Sequence, residues 1–154
     1  MFGTKKKNSN RPKTLARKLI TVQSPKSVVS EQFKTIRTNI NFSMPDQDLK
    51  TLLVTSSTPG EGKSTNSSNI AVVYAQSGKK VILIDSDMRK PTVHHTFGMK
   101  NSIGLSNVLT RQHTFEQVVH KTDVEGLHII TSGVIPPNPA ELLASRQWIS
   151  SLNS

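Results

Sequence analysis

The chain has 154 residues, a length typical of a single domain with a sizeable core. It contains no cysteine, which excludes disulfide bonds and thiolate metal sites and fits a reducing compartment. No apolar run approaches the roughly 20 residues that cross a bilayer, and no apolar stretch follows the first lysines as it would in a secretory signal. These features predict a cytoplasmic protein.

The net charge of +10 is unevenly distributed. Residues 1–18 carry seven basic side chains and no acid, whereas thirteen basic residues face ten acidic ones in the remainder. We therefore predict a basic, flexible tail over 1–18 and a folded domain over 19–154. Such a tail is either a solvated arm or an attachment to an anionic surface, and we do not expect it to read DNA.

The first predicted helix begins at Ser30 and ends near Pro45. Ser27 or Ser30 suits its N-terminal cap, and Pro45 with the aspartates that follow it forms a turn. Its apolar residues recur at helical spacing, at Phe33, Ile36 and Ile40.

A strand–loop–helix–strand unit follows. Residues 51–55 are predicted to form a short buried strand, a glycine-rich loop comes next, and a helix spans Ser64 to Gln76 with Gly78 as its stop signal. Residues 80–85 then form a second buried strand. This order predicts an α/β fold with a parallel sheet flanked by helices.

The last third of the chain predicts two short helices, a strand and a final helix. The helices lie in "GLSNVL" and "FEQVVH", and the strand in "LHIITSG". The final helix starts in "PPNPAELL", where Asn138 suits the cap, Pro139 the first turn and Glu141 a capping box. Three predicted strands are few for an α/β sheet.

The loop "SSTPGEGKST" fits the phosphate-binding pattern G-x-x-x-x-G-K-[ST], with Ser57 in place of the first glycine. Its glycines let successive backbone N–H groups face a phosphate at the start of a helix. Lys63 would neutralise phosphate charge and Ser64 would bind Mg²⁺. The predicted nucleotide-binding residues are Ser57, Pro59, Gly60, Glu61, Gly62, Lys63, Ser64 and Thr65.

A second motif, "VILIDSDMRKP", places Asp85 at the end of a buried strand and Asp87 two residues later. In open α/β sheets, ligands gather at the carboxyl ends of the strands, so both motifs should face one site. Two carboxylates there can hold Mg²⁺ or accept a proton. The alternative is a pair of solvated acids neutralised by Arg89 and Lys90.

Together the two motifs resemble the P-loop bacterial tyrosine kinases of capsule and exopolysaccharide synthesis, whose Walker A loop is paired with an acidic Walker A′ motif. "SGVIPPNPAELLAS" is also similar to that family. So is "SEQFKTIRTNI", which resembles its E-x-x-R-x-x-R oligomerisation helix through Glu31, Lys34 and Arg37, with lysine in place of the middle arginine. A lysine keeps the charge but lacks the planar fork of arginine.

The resemblance implies an autophosphorylating kinase that uses ATP and Mg²⁺ to phosphorylate protein tyrosines, chiefly in a neighbouring copy, and so regulates polysaccharide synthesis and export. It implies that Lys63, Asp85 and Asp87 are catalytic and that Ser64, Asp85 and Asp87 hold the metal. It also implies a homo-oligomer and a transmembrane adaptor that activates the kinase and recruits it to the inner face of the membrane.

Two parts of the family pattern are missing from the sequence. There is no Walker B strand ending in D-x-P-P, and the tyrosine-rich tail is absent because Tyr74 is the only tyrosine. We therefore expect a chain truncated before both parts, which holds the N-terminal part of the kinase domain. A partition or division-site ATPase, and a nucleotide-binding regulator without kinase activity, remain as alternatives.

Overall fold

The computed structural model describes residues 19–144. The predicted basic tail, residues 1–18, therefore lies outside the described residues, as does the end of the predicted domain. Among residues 19–144, no helix has the length and apolar character needed to cross a membrane.

Two helices open the described part of the chain. Helix α1 spans Ile20–Gln23 and α2 spans Val28–Phe42. The hydroxyl of Ser27 accepts a hydrogen bond from the N–H of Ser30, so Ser27 is the cap and the predicted helix begins two residues earlier than expected. The apolar stripe of α2 is only partly covered, because Ser30 is its one fully buried residue and Ile36 is 41% exposed.

Helix α3 spans Lys63–Gln76 and leads into strand β1, Val81–Ile84, which confirms the predicted helix–strand pair. Gly62 precedes the helix at φ +77°, and Gly78 follows it at φ +88°. Residues with a side chain rarely adopt this left-handed conformation, so glycine suits both ends of the helix.

The remaining elements follow the predicted order, with one addition. The two short helices, the strand and the final helix are all present. The addition is the two-residue strand β2. In chain order these elements are α4 (Val93–Thr96), α5 (Leu105–Leu109), α6 (Phe115–Val118), β2 (His120–Lys121), β3 (Leu127–Ile130) and α7 (Pro139–Leu143). At α7, Asn138 donates to the Glu141 side chain at 3.1 Å and makes no side-chain cap, so the predicted capping box does not form.

Among residues 19–144, the sheet has three strands in the order β1-β3-β2. Strands β1 and β3 are parallel, with Val81 opposite Leu127 and Ile84 opposite Ile130. Strand β2 runs antiparallel to β3, so the sheet is mixed rather than wholly parallel. The α/β class predicted from the sequence is confirmed.

Helices cover both faces of this sheet. On one face, Ala71, Val72 and Ala75 of α3 pack with Leu127 and are joined by Val81 and Leu83. On the other face, Ile130 packs with Met88 and with apolar residues of α5 and α6, Leu105, Leu109 and Val118. Alternate side chains of a strand point to opposite faces, which explains why Leu127 and Ile130 belong to different clusters.

The prediction of a buried strand at residues 51–55 is wrong. The segment forms no strand, and Leu53 is 79% exposed. A strand is defined by hydrogen bonds to a neighbour, and none of the sheet's three strands pairs with this segment. Apolar β-favouring composition was present, but the pairing that would bury it is not found among residues 19–144.

Candidate functional site

The glycine-rich loop joins the extended segment at 51–55 to the first turn of α3. Gly60 and Gly62 both have positive φ, at +83° and +77°. A Cβ on Gly62 would meet only Asn66, at 3.7 Å, so the backbone conformation and not a lack of space requires glycine there. Ser57, Pro59 and Glu61 are exposed in this loop, and Thr65 is half-buried in the first turn of α3.

Lys63 contacts the acidic motif. Its Nζ lies 3.1 Å from Oδ2 of Asp87, and both side chains are about a third exposed. The contact joins the start of α3 to the segment after β1, as expected if both motifs face one site. The alternative was that the side chains of Arg89 and Lys90 neutralise the acids. In the structure these two residues donate to the Asp87 carboxylate through their backbone N–H groups and not through their side chains.

Asp85 is 4% exposed, and its carboxylate is held by the backbone that follows it. Oδ1 accepts from the N–H of Asp87 at 3.1 Å, and Oδ2 accepts from the N–H of Val93 at 3.2 Å. Burial raises the pKa of Asp85, and these N–H groups offset only part of that effect. A raised pKa makes this carboxylate a better proton acceptor than an exposed aspartate.

The pKa of Asp87 shifts in the opposite direction. Burial alone would raise it, but hydrogen bonds from the N–H of Lys90 and from the Lys63 ammonium outweigh burial and lower the pKa. Two carboxylates two residues apart therefore occupy different electrostatic environments. Such pairs are frequent where one group handles charge and the other handles protons.

Ser64 has a partner that the sequence did not indicate. Oγ1 of Thr92 donates to Oγ of Ser64 at 2.6 Å, linking α3 to the residue just before α4. In the sequence, Thr92 is marked only by its position directly after "VILIDSDMRKP". Next to it, His94 has a buried Nδ1 with no hydrogen-bond partner, and burial lowers the pKa of its ring.

The donor set fits a nucleotide phosphate with Mg²⁺. The loop backbone and Lys63 would supply positive charge for phosphate, while Ser64, Asp85 and Asp87 carry oxygen atoms of the hard type that Mg²⁺ prefers. Residues 19–144 contain no cluster of three His, Cys, Asp or Glu side chains able to hold a metal without further ligands. Phosphate oxygens and water would therefore complete the coordination, as is usual for Mg²⁺.

The predicted oligomer residues lie on α2 and have partners within the chain. Lys34 Nζ lies 2.7 Å from Glu31 Oε1 and also donates to the Pro25 carbonyl. Arg37 Nη1 donates to the carbonyl of Val73 in α3 at 2.6 Å. The three side chains are thus separated from the nucleotide loop, and Arg37 already connects α2 to the helix that begins there.

Comparisons with known proteins agree with this arrangement. Residues 49–135, more than half of the chain, match the family model described as an AAA domain. The chain is 51% identical over 143 residues to the tyrosine-protein kinase YwqD of Bacillus subtilis (strain 168), covering 93% of this chain and 60% of that protein. It thus spans about three fifths of that relative.

Solved structures give the same result at the level of fold. The chimerical protein CapA2B2 superposes with a TM-score of 0.83 at 46% identity, over 87% of this chain and 59% of that one. The kinase domain of the Escherichia coli tyrosine kinase ETK superposes with a TM-score of 0.81 at 34% identity, over 88% of this chain and 53% of that one. The P-loop fold implies nucleotide binding, and the resemblance predicted from the two motifs is confirmed. The chain belongs to the AAA domain family of P-loop proteins, and within it resembles the bacterial tyrosine kinases in both sequence and fold.

Proposed function

We propose that the chain is the nucleotide-binding part of an ATP-dependent protein-tyrosine kinase that regulates capsular or extracellular polysaccharide synthesis. The observation that supports this best is the 3.1 Å contact between Lys63 and Asp87. It brings the phosphate loop and the acidic motif to one site at the carboxyl end of β1, where phosphate and an acceptor hydroxyl can meet. Relatives of similar sequence carry the name tyrosine-protein kinase.

In this scheme Lys63 and the loop backbone bind the β- and γ-phosphates of ATP, and Ser64, Asp85 and Asp87 hold Mg²⁺. Bound Mg²⁺ would neutralise charge that develops on the phosphates during transfer. A phosphate gives Lys63 a second anionic partner, which competes with Asp87 for the ammonium. An oxygen of Asp87 is then available for metal or acceptor.

The acceptor tyrosine needs a base because its hydroxyl has a pKa near 10. The phenol oxygen forms a bond to the γ-phosphorus, the bond from that phosphorus to the β–γ bridging oxygen breaks, and ADP leaves with the electron pair. The phenol proton passes to a carboxylate of the acidic motif, for which Asp85 and Asp87 are the two candidates, and the one that does not hold the metal would accept it.

Partners follow from the same resemblance. Glu31, Lys34 and Arg37 would contact another copy of the chain, whose tyrosines are among the substrates. A transmembrane adaptor would activate the kinase and hold it at the inner face of the membrane. These roles are proposed for the whole protein, and residues 19–144 are the part that the structure describes.

Phosphotransfer to a tyrosine-rich peptide, measured on the chain extended by the D-x-P-P strand and tyrosine-rich tail of the family pattern, tests the proposal. We expect Lys63→Met to abolish MgATP binding in calorimetry, and Asp87→Asn to retain binding while losing most transfer, because the carboxylate matters chiefly in the transition state. Lys100→Met, which changes an exposed lysine outside both motifs, is the control.

Three other results would contradict the kinase assignment in distinct ways. Equal affinity for MgATP in the wild type and in Lys63→Met would exclude the loop as the nucleotide site. Tight nucleotide binding by the extended chain, without transfer to any tyrosine peptide, would indicate a regulator. ATP hydrolysis stimulated by DNA would indicate a partition-type ATPase.

A further inference from the structure

Thr92 connects the two motifs of the site through its backbone and its side chain. Its N–H interacts with the buried carboxylate of Asp85, which also accepts from the N–H of Val93. Its Oγ1 donates to Oγ of Ser64 at 2.6 Å. Thr92 is therefore held by the end of β1 and in turn contacts the first turn of α3.

The hydrogen bond to Ser64 is the recorded side-chain hydrogen bond of the Thr92 hydroxyl. Thr92 is the residue that precedes α4, a position where a threonine usually caps its own helix. Here the side chain makes no such cap. The hydroxyl points across to α3 instead, which a purely local role in starting α4 does not explain.

The contact limits what the Ser64 hydroxyl can do. A serine hydroxyl has one proton and two acceptor lone pairs. The proton from Thr92 occupies one lone pair, which leaves the other lone pair and the Ser64 proton for a ligand. Without this donor, the Ser64 hydroxyl can rotate away and bond other backbone groups nearby, as serine side chains commonly do.

We propose that Thr92 is a positioning residue, which holds the Ser64 hydroxyl ready to bind the divalent cation that accompanies the nucleotide. The inference rests on the proposed function, because it takes Ser64 as a cation ligand. In this role Thr92 acts through Ser64, to which its hydroxyl donates. It also ties the orientation of Ser64 to the position of Asp85, the second predicted cation ligand.

The test measures the affinity of the full chain for a fluorescent ADP analogue, once with MgCl₂ and once with EDTA. Thr92→Val removes the hydroxyl and keeps the side-chain shape, whereas Thr92→Ser restores the donor. Thr110→Val is the matched control, because the Thr110 hydroxyl also donates a hydrogen bond, to the Ser106 carbonyl, but lies outside both motifs of the site. Thermal melts verify that all variants fold.

We expect Thr92→Val to weaken binding about three- to tenfold in MgCl₂, the effect of one lost hydrogen bond, with no change in EDTA. Thr92→Ser should bind like the wild type, and so should Thr110→Val. The magnesium titration at fixed nucleotide should shift to higher concentration by a similar factor for Thr92→Val alone.

An unchanged magnesium dependence in a folded Thr92→Val would overturn the inference while leaving nucleotide binding intact. So would an equal loss in MgCl₂ and EDTA, which would assign Thr92 to general packing. A wild-type chain that binds no nucleotide under either condition would instead overturn the proposed function, and the inference with it.

Discussion

Asp85 and Asp87 show how neighbouring side chains of one type acquire different chemistry. Asp85 is almost fully buried, and burial raises its pKa, whereas the N–H of Lys90 and the Lys63 ammonium overcome burial at Asp87 and lower its pKa. The protein thus keeps one carboxylate charged beside a lysine and makes the other more basic. Both properties suit a site that handles phosphate, metal and a proton.

The lowered pKa of Asp87 predicts a pH dependence of stability. A carboxylate with a lowered folded-state pKa contributes stability above its unfolded-state pKa and loses it as pH falls through the folded value. We therefore expect Asp87→Asn to destabilise the chain by about 1 kcal/mol near neutral pH, from loss of a partly exposed charged hydrogen bond. The difference from wild type should shrink as pH falls below about 4, the ordinary value for an aspartate, and through the lowered folded-state pKa of Asp87.

Urea unfolding at several pH values measures this effect. Asp46→Asn is the control, because Asp46 is exposed in the turn after α2. Asp85 acts in the opposite sense, since a raised pKa contributes stability at low pH that is lost as pH rises through its folded value. A constant difference between Asp87→Asn and wild type across the whole range would contradict the assignment of the shift to Asp87.

At the level of elements, α2 is fastened to α3 by polar contacts near the C-terminal end of α3. Arg37 donates to the Val73 carbonyl at 2.6 Å, and the Tyr74 hydroxyl donates to Asn41 at 3.1 Å. Val73 lies in the last turn of α3, where carbonyl groups lack helical partners and cations are favoured. Arg37 therefore stabilises α3 within one copy of the chain, whatever it does between copies.

We predict that Arg37→Ala lowers the free energy of unfolding by about 1 kcal/mol, since it leaves a partly buried carbonyl without its donor. Arg37→Lys should recover part of this, because an ammonium can also donate to the Val73 carbonyl but sits on a side chain of different shape. Glu31→Ala is the matched control on the same helix, as Glu31 is exposed and its ion pair with Lys34 lies at the surface.

Urea midpoints and size-exclusion chromatography together separate the two roles of Arg37. Loss of stability in the monomer would support the contact with Val73. Unchanged stability with dissociation of an oligomer would instead mean that Arg37 acts only between copies, as the family resemblance implies for Glu31, Lys34 and Arg37.

For the whole molecule, the arrangement of strands leaves apolar surface uncovered. Among residues 19–144, β1 pairs with β3 on one side only, and Ile82 of β1 is 56% exposed. Leu53, in the segment predicted as a strand, is 79% exposed. An apolar strand edge without a neighbour is a site where other chains can pair.

We predict that Ile82→Thr and Leu53→Thr reduce aggregation of the chain without lowering its melting temperature. Both replacements remove exposed apolar surface, so little packing is lost. Leu127→Ala is the contrasting variant, because Leu127 is 1% exposed and its truncation should cost about 2–5 kcal/mol. Light scattering measures the aggregation, and circular dichroism recorded during the same thermal melt measures the melting temperature.

A loss of stability in Ile82→Thr as large as that in Leu127→Ala would contradict this prediction. It would mean that Ile82 is covered in solution by another chain or by a segment outside the described residues.

The uneven charge of the whole chain predicts a second property. Residues 1–18 carry seven basic side chains and no acid, and each contributes about 1 kcal/mol near an anionic lipid surface. We expect the full chain to sediment with vesicles that contain anionic phospholipid and to be released as salt is raised. A variant with all seven residues changed to glutamine should remain in solution.

Vesicles of zwitterionic lipid are the control in that experiment. Equal binding to both vesicle types would contradict an electrostatic attachment. Tighter, salt-sensitive binding to duplex DNA than to anionic vesicles would indicate a nucleic-acid partner, which the sequence led us not to expect.

The sequence by itself determined the elements whose signals are local. Helix α3 was predicted from a glycine-rich loop before it and Gly78 after it, and both glycine positions have the positive φ that those signals require. The strand at residues 81–84 and its acidic end were predicted from a continuous β-branched run. From these local features alone, the α/β class and the resemblance to bacterial tyrosine kinases followed.

Only the tertiary structure decided which side chains meet and which strands pair. The contact of Thr92 with Ser64, and that of Arg37 with Val73, join residues 28 and 36 positions apart, so no local pattern contained them. The opposite pKa shifts of Asp85 and Asp87 depend on burial and on donors from other segments. Residues 51–55 have strand-like composition, but no strand of the described part of the chain pairs with them, because pairing is a property of neighbours in space and not of the segment itself.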